Sequence, residues 1–148
     1  MAIGDKHYFS VPLRLNKTKR KENWWFLNLN NFIQASRNFS YRNSLKQKYS
    51  ESIKPCVENL PQIRNKVYIQ YTIYGKDARK FDIPNVYTVV DKFLMDVLVK
   101  RGVLLEDDYR YYPVGMWRWG GIDRENPRAD IVITEIEYTA VNERKGDE

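Results

Sequence analysis

The sequence predicts an α+β domain with a mixed β-sheet and two helices, and three stretches carry that expectation. Residues 66–74, KVYIQYTIY, alternate along the chain and are rich in β-branched and aromatic side chains, the pattern of a half-buried strand. Residues 84–101 then take up a helical period, with Pro84 tolerated in the first turn and Gly102 stopping the helix after Lys100 and Arg101. Residues 129–138, ADIVITEIEY, read as a final strand.

The remaining elements fall into order around these. Residues 7–13, HYFSVPL, form a short first strand that Pro12 confines to an edge. The run NKTKRKENWW has no hydrophobic period and reads as a mobile loop. It holds the densest cluster of cations, Lys17, Lys19, Arg20 and Lys21. Residues 39–54 place Tyr41, Leu45, Lys48, Tyr49 and Ile53 at roughly helical spacing, an amphipathic helix expected to end near Pro55. YRYYPVGMWRW is a strand, and GGIDRENPR is a polar turn before the last one. The order is strand, helix, strand, helix, strand, strand, in a single domain of residues 1–148. Its core spans about 8–138, and residues 139–148 are a polar tail.

Composition narrows the chemistry. The charged content of 30% and hydrophobic content of 43% describe a globular chain. No apolar run approaches the ~18 residues of a membrane span, and the N-terminus has no secretory h-region. Cys56, the single cysteine, suits a reducing cytoplasm, and with one histidine, His7, thiolate zinc clusters and His-rich metal sites are excluded. A net charge of +6 with aromatics at 14% fits nucleic acid, where cations meet phosphates and rings stack on unpaired bases. The same rings also suit the core of a strand-rich protein.

Against this basic background, five aspartates gather between residues 79 and 110. On an ideal helix Val86, Val90, Phe93 and Val97, with Leu94 beside them, form the packing stripe. Asn85, Lys92 and Asp96 form a second stripe at its border, where an ionised Asp and Lys need partners. Asp91 falls roughly opposite Phe93, a solvent-facing position. Asp82 sits where an N-cap belongs, and Asp107 and Asp108 follow the helix in a turn. If that turn returns beside Asp82 and Asp96, the carboxylates converge, and a divalent cation relieves their repulsion. Oxygen-only ligands suit Mg²⁺ or Mn²⁺, so metal-dependent phosphodiester hydrolysis is the chemistry this arrangement supports.

FDIPN, then VVDKFLMD, then GVLLEDD resembles the RusA-type Holliday junction resolvases, small dimeric endodeoxyribonucleases of bacteria and their phages. Asp82, Asn85, Lys92, Asp96, Gly102 and the Asp107–Asp108 pair match that family's pattern, and Leu15-Asn16 is similar to its early Leu-Asn. The likeness spans roughly residues 8–138, with its specific motifs between Asp82 and Asp108. It implies metal-binding acids at Asp82 and Asp108 and an essential lysine at Lys92. Two positions depart from the pattern. Pro84 stands where the family has a second acid, and about one helical turn is inserted between Asn85 and Lys92; either Asp96 then carries more of the metal binding or Asp91 compensates, though its helical face argues against Asp91.

The resulting expectation is a RusA-like, Mg²⁺-dependent endonuclease of four-way or other branched DNA. It would act as a homodimer in the cytoplasm of a bacterial or phage-infected cell. Asp82, Lys92, Asp96 and Asp108 are its catalytic candidates. Asp82, Asp96 and Asp108 are the metal ligands, with Asp107 either assisting them or shaping the turn. Asn85, Lys17, Lys19, Arg20, Lys21, Arg79 and Lys80 are the DNA contacts. The alternative is a catalytically weak or inactive binder of branched or single-stranded DNA on the same fold. An RNA-binding domain fits the composition and leaves the aspartates unexplained.

Overall fold

The strict alternation of KVYIQYTIY builds the centre of the sheet. Residues 2–18, 21–80 and 82–144 are described by the structure, a computed structural model. Strand β4 (Lys66–Gly75) turns Val67, Ile69, Tyr71 and Ile73 into the core, and Tyr68, Gln70, Thr72 and Tyr74 to the opposite face. Strand β6 (Arg128–Ile136) runs antiparallel to β4, with Ile69 opposite Ile133 and Ile73 opposite Ala129. Strand β1 (Lys6–Pro12) pairs antiparallel with β6 at one edge. Strand β5 (Val114–Ile122) pairs parallel with β4 at the other, giving the order β1-β6-β4-β5. Pro12 thus lies on an edge strand, where its missing N–H breaks no interior ladder. A register shift inserts Gly120 as an extra residue of β5; a Cβ there would lie 2.7 Å from the Tyr74 ring.

A parallel pair needs a crossover, and helix α3 (Ile83–Lys100) supplies it between β4 and β5. Its end follows from Gly102. At φ 75° this residue lets its own N–H reach the Val99 carbonyl at 3.0 Å, while the Val103 N–H reaches that of Leu98 at 2.9 Å. The apolar stripe is buried as the sequence predicts, at Val86, Val90, Phe93, Leu94 and Val97.

Helix α2 (Phe39–Val57) is capped by Asn38, whose side chain accepts from the Tyr41 N–H at 3.0 Å. It runs past Pro55, two residues beyond the stop that proline predicts. Ile53 and Val57 are both buried one turn apart, and that packing carries the last turn through.

Four small elements were not expected. Strands β2 (Arg14–Asn16) and β3 (Trp24–Phe26) pair as a hairpin, so the basic run is the loop of a hairpin; within it, Lys19 and Arg20 lie outside the described residues. Helix α1 (Leu29–Ala35) follows, capped by Asn28. The polar tail contains a short helix, α4 (Val141–Arg144). The structure therefore has four helices among the described residues, two of them long.

Phe93 is the hub of the core. Its ring stacks on Trp25 at 6.0 Å and meets Phe32 and Tyr49 edge-on at 5.8 and 5.7 Å. The Tyr49 hydroxyl is satisfied by donating to the Pro12 carbonyl at 2.7 Å. Among the described residues one polar side chain is fully buried, Glu135. It accepts from Asn65 Nδ2 at 3.1 Å and meets His7 Nε2 at 2.9 Å.

Candidate functional site

Helix α3 and its N-cap carry three of the four catalytic candidates, Asp82, Lys92 and Asp96, so its surroundings define the site. Asp82 occupies the N-cap position, yet its carboxylate makes no capping hydrogen bond; its backbone carbonyl accepts from the N–H groups of Asn85 and Val86 instead. Pro84 sits in the first turn, where its carbonyl accepts from Thr88 Oγ1 at 2.7 Å. Asp82 and Asn85 line a cleft of about 450 Å³ at the C-terminal end of β4. That is the position where ligands enter parallel α/β units. Lys76, Arg79 and Lys80 line the same cleft. Arg79 is paired with Asp77 at 3.5 Å.

The second stripe meets α1 and α2. Lys92 Nζ stands 5.8 Å from the centre of the Phe32 ring. Asp96 pairs with Lys46 at 3.3 Å. Lys92 is exposed, and Asp96, half-buried, has the borderline placement the helical periodicity predicts. The helix also keeps the two acids apart, because Asp82 and Asp96 are fourteen positions apart along it, or about 21 Å of axial rise. One ion cannot take both within one chain. Asp108 is engaged elsewhere, clasped by Arg110 through Nε at 3.0 Å and Nη2 at 2.7 Å. That guanidinium holds the exposed Asp108 carboxyl below its usual range. Among the described residues, no group of three or more His, Cys, Asp or Glu side chains is placed to hold a metal ion. The convergence of Asp82, Asp96 and Asp108 expected from the sequence is therefore not formed.

Asp91 reverses its expected role. Its Oδ1 accepts from the Tyr71 hydroxyl at 2.6 Å and from the Tyr112 hydroxyl at 3.0 Å. Tyr112 in turn meets Tyr87 at 3.1 Å between hydroxyl oxygens. Burial drives the Asp91 pKa above the ordinary carboxylate value. The two tyrosine hydrogen bonds pull it back down, and the charge of nearby Asp107 adds to the rise. The same burial and the Asp91 charge raise the hydroxyls of Tyr71 and Tyr112. The single-stripe helical projection fails here because α3 is covered on more than one side. Val89, Met95 and Leu98 are buried as well, and Asp91 falls inside that wider arc, between Leu98 and Met95. A tyrosine-rich strand facing a polar helical residue is the signal that could have located it.

Of the basic run, Lys17 is partly engaged, with Nζ donating to the Tyr41 hydroxyl at 3.4 Å, and Lys21 is exposed. Lys19 and Arg20, expected as DNA contacts, lie outside the described residues. No helix among the described residues is long and apolar enough to cross a membrane. The chain matches no family model, and no curated protein matches it.

Proposed function

We propose that this protein is a Mg²⁺- or Mn²⁺-dependent endodeoxyribonuclease of branched DNA, four-way junctions among them, with Asp91 and Asp107 as its carboxylate pair. The observation that carries this reading is Asp91 itself, a largely buried acid whose ionised form is opposed by a second acid and eased by two fixed hydroxyls. Mg²⁺ is commonly held through one or two carboxylates, with water and substrate phosphate completing its shell, so a pair suffices. Such an ion supplies charge neutralisation and an activated water. The order FDIPN, VVDKFLMD, GVLLEDD, similar to the RusA-type resolvases, supports the same class.

The other residues take supporting tasks in this reading. Tyr71 and Tyr112 fix the orientation of the Asp91 carboxylate. Asp108, locked to Arg110, holds the turn that presents Asp107. Lys92, exposed and without a carboxylate partner among the described residues, stabilises charge developing on the phosphate. Two-fold pairing of chains suits symmetric cuts across a junction, and the lone cysteine suits a bacterial or phage-infected cytoplasm.

One observation favours a second reading, a non-catalytic binder of branched or single-stranded DNA: Asp82, Asp96 and Asp108 do not assemble. Labelled four-way junction incubated with Mg²⁺ or EDTA, beside the Asp91→Asn variant, decides between them. The nuclease reading expects Mg²⁺-dependent cutting that falls at least ~100-fold in the variant, the scale of losing one preorganised transition-state interaction. Tight binding with no cutting in Mg²⁺ or Mn²⁺ leaves the binder.

A further inference from the structure

The cleft beside Asp82 is separate from the Asp91 pair and has a composition of its own. Leu13, Leu27, Val86 and Pro127 are buried around it and make its apolar lining, together with the ring of Phe26. Two of its asparagines are committed to the fold: Asn28 caps α1, and Asn31 Nδ2 donates to the Phe26 carbonyl at 2.9 Å. The side chain of Asn85 has no hydrogen-bond partner among the described residues, and neither has the Asp82 carboxylate. Arg79 is paired, whereas Lys76 and Lys80 have no carboxylate partner among the described residues. Lys76 Nζ stands 4.2 Å from the centre of the Phe26 ring.

We infer that this cleft takes one unpaired nucleotide of a branched DNA. The inference rests on the DNA-binding reading above and adds a subsite and a base preference to it. The volume of about 450 Å³ lies within the ~300–1,000 Å³ of clefts that accept small organic ligands. An apolar lining with an aromatic ring suits a base taken out of its stack, and Lys76 and Lys80 suit the phosphates on either side of it. Asp82 decides which base. A carboxylate only accepts hydrogen bonds, so it favours a base with an exocyclic amino group, as it does in reading cytosine N4. The Asn85 amide both donates and accepts, and so completes the edge of such a base. Thymine has no amino group; its one donor on that edge, N3–H, is flanked by two carbonyl oxygens that repel a carboxylate, so it pairs less well with Asp82. Asn85 and Asp91 are six positions apart on α3, about 9 Å of axial rise. A base seated in the cleft would therefore set the register in which the strand passes the carboxylate pair.

The test measures affinity in EDTA for four junctions that differ only in one unpaired unit at the branch: cytosine, adenine, thymine or an abasic site. Cytosine and adenine are expected to bind about fivefold tighter than thymine or the abasic site, the worth of one satisfied polar contact. Asp82→Ala and Asn85→Ala, checked for folding by circular dichroism, are expected to lose that discrimination. Equal affinity for all four junctions would overturn the inference while leaving DNA binding intact, as would discrimination that survives in both variants. Failure to bind any junction would remove the DNA reading and the cleft assignment together.

Discussion

The Tyr71 hydroxyl reaches from the central strand to Asp91 on the crossing helix, donating a hydrogen bond of 2.6 Å. A second donation to the same oxygen comes from Tyr112 at 3.0 Å. Removing the carboxylate is therefore expected to have different effects according to what replaces it. Asp91→Asn keeps an oxygen that both hydroxyls can use, whereas Asp91→Leu leaves Tyr71 without an acceptor and Tyr112 with only the Tyr87 hydroxyl. The leucine variant should lose roughly 1–3 kcal/mol in urea unfolding, and the asparagine variant should lose far less.

The raised Asp91 pKa gives that comparison a pH dependence. Below the unfolded carboxylate value, about 3.9, both states hold the proton and Asp91 contributes no pH-dependent loss. As pH rises from there through the raised folded value, the unfolded state releases its proton first, and stability falls until the folded group has ionised. Wild type should therefore lose ground to Asp91→Asn between acid and neutral pH. Urea midpoints that keep the same gap at pH 3 and pH 7 would show that Asp91 is not perturbed in the folded protein.

His7 and Asn65 are the two side chains that meet the fully buried Glu135. His7→Ala removes one of them and supplies no new partner. A loss of roughly 1–3 kcal/mol is expected, recovered in part by the double variant His7→Ala with Glu135→Gln, in which an amide replaces the buried carboxyl. Chemical denaturation of the two variants side by side measures the difference.

Phe93 sits among Trp25, Phe32 and Tyr49, so Phe93→Ala opens a cavity that three rings border. A destabilisation of about 3–5 kcal/mol is expected. Loss of junction binding should accompany it only near the new melting temperature, which thermal scans and binding at two temperatures would separate.

For the hairpin loop, replacing Lys17, Lys19, Arg20 and Lys21 with Ala is expected to flatten the salt dependence of DNA affinity. The slope should fall by about 0.9 for each phosphate that the variant no longer neutralises. An unchanged slope would make those lysines and that arginine ordinary solvent-facing charges.

The elements that were legible from the sequence are those in which a local pattern and the tertiary environment agree. β4 alternates because one of its faces is buried and the other is not. α3 ends at Gly102 because its αL conformation closes the last turn. Where they disagree, local rules misled. Pro55 predicts a stop that Ile53 and Val57 override by packing. α1 is seven residues long, too short for a period to emerge, and rests on the Asn28 cap. The aspartate of the second stripe met its cation, as the border position required, while the lysine stayed exposed. Fourteen positions along a helix already set Asp82 and Asp96 about 21 Å apart, whereas the place of Asp108 depended on how a turn folds back, which no spacing along the chain records. Asp91 was misplaced because one helical stripe cannot represent a helix buried over a wide arc.

The unbroken run of α3 from Ile83 to Lys100 ties the cleft to Asp91 in the manner of a screw thread. A single inserted residue would turn everything beyond it by about 100°, swinging Asp91 away from Tyr71 and Lys92 away from Phe32. Four inserted residues restore the angle to within about 40° and lengthen the span by about 6 Å. Length variation in this helix is thus quantised, permitted in whole turns and penalised in between. A chain that lengthens it by a turn keeps its core and moves Asp91 one step further along the axis from the cleft.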